Sequence, residues 1–246
     1  MLELLARSSS ALAGRQVEVF YEVPSGEGVP DLMLVSMDRD QIASREQNGF
    51  LVEPTSLAVV LLLSARPLSG PAALSAEDIA REVGVGRAYL ARKVLPRLID
   101  EGHIGMDGRN YMRERPFVSC ARWIGTVEAK LRDWKKGLSQ ATRHGLGADA
   151  RWLALPIARM RVPVAHADWF RLYGVGLVSV DQDGAITEQI ASQKSAPNAL
   201  RRELMVERAA QMSTEGRRSG PVPLVFGNSL VASRGFDPRL EGALAR

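Results

Sequence analysis

The spacing of apolar residues changes period twice along this chain, and those two changes limit the fold more than any other feature. Residues 16–23 alternate, with Val17, Val19 and Tyr21 set against Glu18, Phe20 and Glu22, the period-two pattern of a strand. A Pro-Ser-Gly turn over 24–28 leads into a second apolar strand over 29–37, so the two read as a hairpin, preceded by a short helix over 1–12. After residue 50 the period becomes helical. An apolar helix spans 56–65 and a loop 67–71. A helix spans 75–83, with Ser75 as N-cap and Asp78 three residues on, and another spans 87–101, closed by Gly102. A hairpin of 103–106 and 109–113 follows around Asp107-Gly108. Strands and helices then alternate again: a strand over 121–131, a helix over 134–144 capped by Asp133, a strand over 150–156, a short helix within 162–172, a strand over 176–181, and a strand over 185–190 after the Asp183-Gly184 turn. An amphipathic helix over 198–211 points Leu200, Leu204 and Ala210 inward, and the Gly-, Pro- and Ser-rich tail from Ser213 reads as irregular. The simplest organisation is an α/β (α+β) core made of residues 1–50 and 116–246, with a helical module of residues 51–115 set into it.

Charge adds direction to that division. The formal net charge of +4 is too mild to identify a nucleic-acid binder by itself, so the distribution matters more. Residues 1–66 hold nine acids against five arginines, whereas residues 122–161 hold nine Lys or Arg against Glu128, Asp133 and Asp149. An acidic part facing a basic part suits a cation site beside a phosphate-binding surface. The single cysteine, Cys120, excludes an internal disulfide and a multi-cysteine zinc site, and its apolar neighbours mark it as a core side chain. The N-terminus lacks the basic start and long apolar stretch of a signal peptide, and the longest apolar run, 57–63, is too short to cross a bilayer. The expectation is a cytoplasmic protein with no membrane partner.

The order helix, helix, tight turn, helix, hairpin over 55–115 resembles winged helix-turn-helix domains. Ile79, Ala80 and Val83 face the core of the first part and Gly84 allows the sharp turn. The next helix carries Arg87, Tyr89, Arg92, Lys93 and Arg97 outside, over Leu90, Val94, Leu95 and Leu98 inside. The resemblance implies that this helix enters the major groove of double-stranded DNA and that Arg109 in the wing meets backbone phosphate. Pro96 departs from the pattern, because a proline inside a helix removes a backbone donor and kinks it.

The chemistry-bearing residues lie in the strand segments. Pro30-Asp31 opens the second strand, and Glu128-Ala129-Lys130 ends a later one. Residues two apart on a strand share a face, so Glu128 and Lys130 project together. Charges emerging from the edge of a buried sheet are costly unless paired or bound to metal. These residues, on a helix, two antiparallel strands, a strand with Glu-x-Lys, a helix and a further strand, resemble the PD-(D/E)XK, or restriction-endonuclease-like, superfamily over roughly 1–38 and 117–160. The resemblance implies a restriction-endonuclease-like mixed sheet flanked by helices, interrupted by the winged helix. It implies that Asp31 and Glu128 hold Mg²⁺ or Mn²⁺, that a carbonyl of Val127 or Ala129 adds a ligand, and that Lys130 supports the attacking water or the transition-state charge. A further acid is expected from Glu3, Glu18 or Glu22. On the helix after Glu-x-Lys, Gln140 and His144 share a face; the resemblance implies a catalytic place for Gln140, and His144 stands where many family members have tyrosine. Lys135, Lys136 and Arg143 on that helix are placed to meet phosphates, while Trp134, Leu138 and Ala141 face inward.

The remaining histidines, His103 and His166, are too dispersed for a zinc site, and Trp123, Trp152 and Trp169 read as core side chains and not as platforms for bases. The expected function is a metal-dependent DNA endonuclease of a restriction, repair or defence type. The alternative is a non-cleaving DNA-binding regulator or scaffold on the same fold, or a protein-interaction module. Double-strand cleavage favours a two-fold homodimer, an expectation from symmetry.

Overall fold

The structure is a computed structural model that describes residues 1–66 and 73–219. The loop read over 67–71 and the tail beyond residue 219 lie outside the described residues. The expected opening helix is two short ones, α1 (Leu2–Arg7) and α2 (Ser9–Ala13). They are followed by β1 (Glu18–Tyr21), β2 (Leu32–Met37), α3 (Arg39–Asn48), α4 (Pro54–Ser64) and α5 (Ala76–Val83). α3 has no counterpart in the apolar pattern because only Ile42 among its residues is buried; its start is fixed by Asp38, which accepts from Gln41 N. Caps also start α4, where the Glu53 carboxylate accepts from Thr55 N and Ser56 N, and α5, where Ser75 Oγ accepts from Asp78 N.

The helix expected over 87–101 is three pieces: α6 (Arg87–Tyr89), a π-helical turn (Leu90–Val94) and α7 (Leu95–Asp100). Pro96 has no N–H to return to Arg92, and the widened turn absorbs the missing bond. The hairpin β3 (Ile104–Asp107) and β4 (Asn110–Arg113) pairs Asp107 with Asn110, so Gly108-Arg109 form the turn, one residue later than expected. Gly108 has φ +61, a conformation that a two-residue hairpin turn requires.

The second half runs β5 (Ala121–Ala129), α8 (Trp134–His144), β6 (Ala150–Pro156), α9 (Arg161–Ala165), α10 (Ala167–Tyr173), β7 (Gly176–Val180), β8 (Ile186–Ile190) and α11 (Ala199–Thr214). Six strands form one mixed sheet in the order β1-β2-β5-β6-β7-β8. β5, β6 and β7 are parallel, and the outer pairings, including β2 with β5, are antiparallel. The chain is therefore a mixed α/β protein with a six-stranded sheet flanked by helices. Among the described residues, no helix is long and apolar enough to cross a membrane.

Both sheet faces are covered. Met33, Val35 and Ile124 pack with Met205, Val206, Ala209 and Ala210 of α11, and Leu153, Leu155 and Leu177 on the same face pack with α8 and α10. Leu32, Leu34, Val127, Ala154 and Val178 point the other way, onto Leu5 of α1. This double cover bears on the alternation of β1: Phe20, on the side of Glu18 and Glu22, is fully buried, and Val19 and Tyr21 are half-buried. Helices α4 to α7 and the hairpin share their own core of Leu57, Val60, Ile79, Leu90, Leu98 and Ile104, to which α11 adds Leu204.

α11 is thus held from two sides, and it is not the amphipathic surface helix that its charges suggest. Glu203, Glu207 and Arg208 are buried along it. Glu207 meets Arg45 Nε at 3.0 Å and accepts from Leu51 N at 2.8 Å. Burial raises the pKa of Glu207, and the Arg45 guanidinium opposes that. Arg208 Nη1 donates to Pro24 O at 2.8 Å, anchoring the β1–β2 loop, and burial pulls its pKa down to about 10. Cys120 is a buried core side chain whose thiol is pushed up to about 12 by that burial.

Candidate functional site

Strand register alone brings the two acids together. Leu32 stands opposite Val127 and Met33 opposite Thr126, so Asp31 and Glu128 are the next pair toward the end of β5, on the face that carries Met33 and Ile124. The backbone N–H of Ala129 donates to Asp31 Oδ2 at 2.7 Å. Lys130, two residues past Glu128, follows it on the same face, and its Nζ donates to Glu128 Oε1 at 2.6 Å. Asp31, Glu128 and Lys130 therefore form one cluster at the end of the central strands.

The cluster sits against α8. His144 Nδ1 lies 3.0 Å from Glu128 Oε2, so the nearly fully buried carboxylate has a partner on each oxygen. The His144 ring is seated on the backbone of Gly28: a Cβ at residue 28 would stand 2.2 Å from His144 Cδ2. Gly28 also has φ +149, which side chains rarely adopt. Its carbonyl accepts from Ser25 N and Ser25 Oγ, closing the loop that Arg208 holds at Pro24. Gly137 admits the Lys130 side chain in the same way, with Lys130 Cγ 2.9 Å from where its Cβ would be.

Burial dominates the electrostatics of the site. Burial raises the pKa of Asp31, and the nearby Glu128 adds to the rise, while the Ala129 N–H, Lys130 and His144 oppose it. Glu22 follows β1 and donates its backbone N–H to Asp31 O. Its carboxyl is also pushed up, first by burial and then by Asp31. Glu22 is the one non-glycine residue with positive φ among the described residues, at +53, a conformation that costs free energy and clusters at functional sites. Of the three candidates for a further acid, Glu22 is therefore the one beside Asp31. Glu3 lies beside Tyr21, whose side chain points to the opposite sheet face. Glu18 is taken by Arg39, Arg218 and Ser213. Among the described residues, no group of three or more His, Cys, Asp or Glu side chains is placed to hold a metal ion.

Gln140 lies one turn before His144 on α8, and its buried Oε1 has no hydrogen-bond partner. Lys135, Lys136 and Arg143 are exposed on the same helix, with Lys135 Nζ over the rings of Trp134 and Trp169 at 5.8 and 5.6 Å from their centroids. Arg87, Tyr89, Arg92 and Lys93 are exposed on α6 and the π turn, and Arg109 is exposed at the hairpin tip. Arg97 is exposed as well, and its Nη2 donates to Ser56 Oγ at 2.6 Å, which turns it toward α4. The tryptophans divide. Trp152 is buried, Trp123 is half-buried, and Trp169 is 46% exposed. The last corrects its reading as core: Phe170 fills the inward position of α10 and leaves Trp169 outside.

The chain matches no family model, no curated protein and no solved structure. The reading of the site therefore rests on its own geometry. Glu22, Gly28 and Arg208 belong to its frame, and of these the sequence singles out only Glu22, as one acid of three.

Proposed function

We propose that this protein is a metal-dependent DNA endonuclease of the PD-(D/E)XK type, with a restriction-endonuclease-like sheet and an inserted winged helix. One observation carries the reading: Asp31 and the Glu128-Ala129-Lys130 segment, far apart in sequence, meet at the end of β2 and β5 with Asp31 bonded to the Ala129 N–H. The insertion is supported by the core that α4 to α7 and the β3–β4 hairpin build with Leu204 of α11, and by the exposed Arg87, Tyr89, Arg92 and Lys93.

The donor set fits Mg²⁺ or Mn²⁺. Asp31 and Glu128 offer hard oxygen ligands on one face; burial is the main cause that raises the Asp31 pKa, the nearby Glu128 adds to it, and a divalent cation would offset both. Two carboxylates with water and substrate oxygens are a common set for Mg²⁺. Such an ion, when bound, supplies polarisation of the scissile phosphate and a water of lowered pKa. The chain's own groups do the rest. Lys130 has three N–H donors; one holds Glu128, and the others are available to the attacking water or to charge building on phosphate oxygen. His144 keeps Glu128 from rotating away. Lys135, Lys136 and Arg143 meet backbone phosphate. Water gives up a proton to solvent as its oxygen bonds to phosphorus, the bond to the leaving sugar oxygen breaks, and that oxygen takes a proton from solvent.

One observation favours the second reading, a DNA-binding scaffold that does not cut: both oxygens of Glu128 already have partners, so its charge is balanced without an ion. Incubation with supercoiled plasmid separates the two. Nicking or linearisation that needs Mg²⁺ or Mn²⁺ and stops with EDTA supports the endonuclease. Duplex binding with no cleavage of methylated or unmethylated DNA supports the scaffold.

A further inference from the structure

The outer side of α10 carries large apolar side chains beside the exposed Asp168–Arg171 pair. Trp169, Leu172 and Tyr173 are 46%, 77% and 45% exposed. They do not stand alone. A cavity of about 250 Å³ separates α10 from α8, and its walls include Trp169, Tyr173, Lys135, Ser139, Thr142 and Arg143. Its lining holds two aromatic rings and two cations and no carboxylate. Lys135 Nζ already rests between Trp134 and Trp169.

Two aromatic rings beside two cations match the alternating chemistry of an unpaired nucleic-acid strand, whose bases present faces and whose phosphates present charge. A duplex keeps its bases stacked inside, out of reach of such rings. A protein partner fits less well, because lysine is depleted from the buried core of protein interfaces. We propose that the α8–α10 cleft binds an unpaired strand of DNA, with bases on Trp169 and Tyr173 and adjoining phosphates on Lys135 and Arg143. This deepens the endonuclease reading, on which its purpose rests, by naming the substrate class as DNA with a single-stranded segment beside the cut. The placement is suitable. Gln140 and His144 lie on one flank of α8, toward Glu128, and the cleft lies on the other. An α-helix with its side chains is about 10–12 Å across, a distance that one or two nucleotides span.

The test is fluorescence anisotropy in EDTA, with a labelled oligothymidylate of about 20 nucleotides and a labelled duplex of the same length. The wild type should bind the single strand. The double variant Trp169→Ala with Tyr173→Ala should bind it about tenfold or more weakly, the loss expected of removed stacking, with duplex affinity changed less than twofold. Trp169→Phe should retain most of the affinity, and thermal unfolding should show that both variants fold. Unchanged single-strand affinity in the double variant, no single-strand binding by the wild type, or equal loss on both DNAs would overturn the proposal. So would a wild-type dimer that dissociates in the double variant with strand affinity intact, because the face is then a contact between copies. Binding needs no cleavage, so the outcomes separate. Strand binding without cleavage overturns only the nuclease reading, and metal-dependent cleavage without strand binding overturns only the cleft.

Discussion

Asp31 accepts the backbone hydrogen bond of Ala129 at 2.7 Å, which ties the acid from β2 to the residue that separates Glu128 from Lys130. The bond aims a carboxylate that its surroundings oppose, since burial and Glu128 both raise its pKa. Asp31→Asn keeps an oxygen for Ala129 and removes the charge. The variant should equal or exceed the wild type in metal-free thermal stability, by up to about 1 kcal/mol, while losing cleavage. A clearly less stable variant would show that the charge is not opposed by its surroundings.

Gly28 is the seat of the His144 ring. Gly28→Ala meets two obstacles, a Cβ overlapping the imidazole and a φ of +149 that alanine resists. Overpacking of this kind costs about 1–3 kcal/mol. The account expects that loss in denaturant unfolding together with a fall in cleavage, because His144 must leave Glu128. Full activity in Gly28→Ala would mean that His144 does not position the carboxylate.

The Arg45–Glu207 ion pair tests how α11 is held. Arg45→Ala leaves a buried carboxylate without its cation and should destabilise by about 3–5 kcal/mol. Glu207→Gln can still accept from Leu51 N and should cost less. Urea midpoints for the two variants give the comparison, and the reverse order would contradict it.

His103 gives the fold a pH dependence. Burial, followed by the charge of Arg45, lowers its pKa from 6.5 to about 4. The folded state therefore holds the proton more weakly than the unfolded chain. Stability is complete above pH 6.5 and falls as pH drops from 6.5 toward 4, by roughly 2 kcal/mol at pH 5. Asp31 and Glu207 have raised values and act in the opposite sense, so the wild type must be compared with His103→Gln, which should lack this acid-side loss. Parallel pH profiles for the two proteins would exclude the effect.

Much of this molecule is legible where local signals decide. α8 and β6 begin and end where Asp133, the apolar period and Pro156 place them, and the inner faces of α5, the π turn and α7 follow the expected residues. The meeting of Asp31 with Glu128 follows from reading both as the ends of strands of one sheet. Sequence fails where tertiary contacts decide. α3 has one buried side chain and so no apolar stripe. Glu207 and Arg208 look like solvent-facing charges until α11 is seen to lie between the sheet and α4. Nothing local to Gly28 announces His144, and Trp169 resembles a core residue because the apolar pattern of α10 is satisfied by Phe170 one position later.

Lys130→Ala is the most direct test of the central claim, because Lys130 lies at the centre of the proposed chemistry and its side chain is only partly buried. The rate at which supercoiled plasmid is lost with Mg²⁺ or Mn²⁺ would be compared with that of the wild type, with DNA affinity measured in parallel. The account predicts metal-dependent cleavage by the wild type and a loss of two or more orders of magnitude in the variant, with affinity for DNA largely kept. Cleavage by Lys130→Ala at the wild-type rate would contradict the assignment of this site.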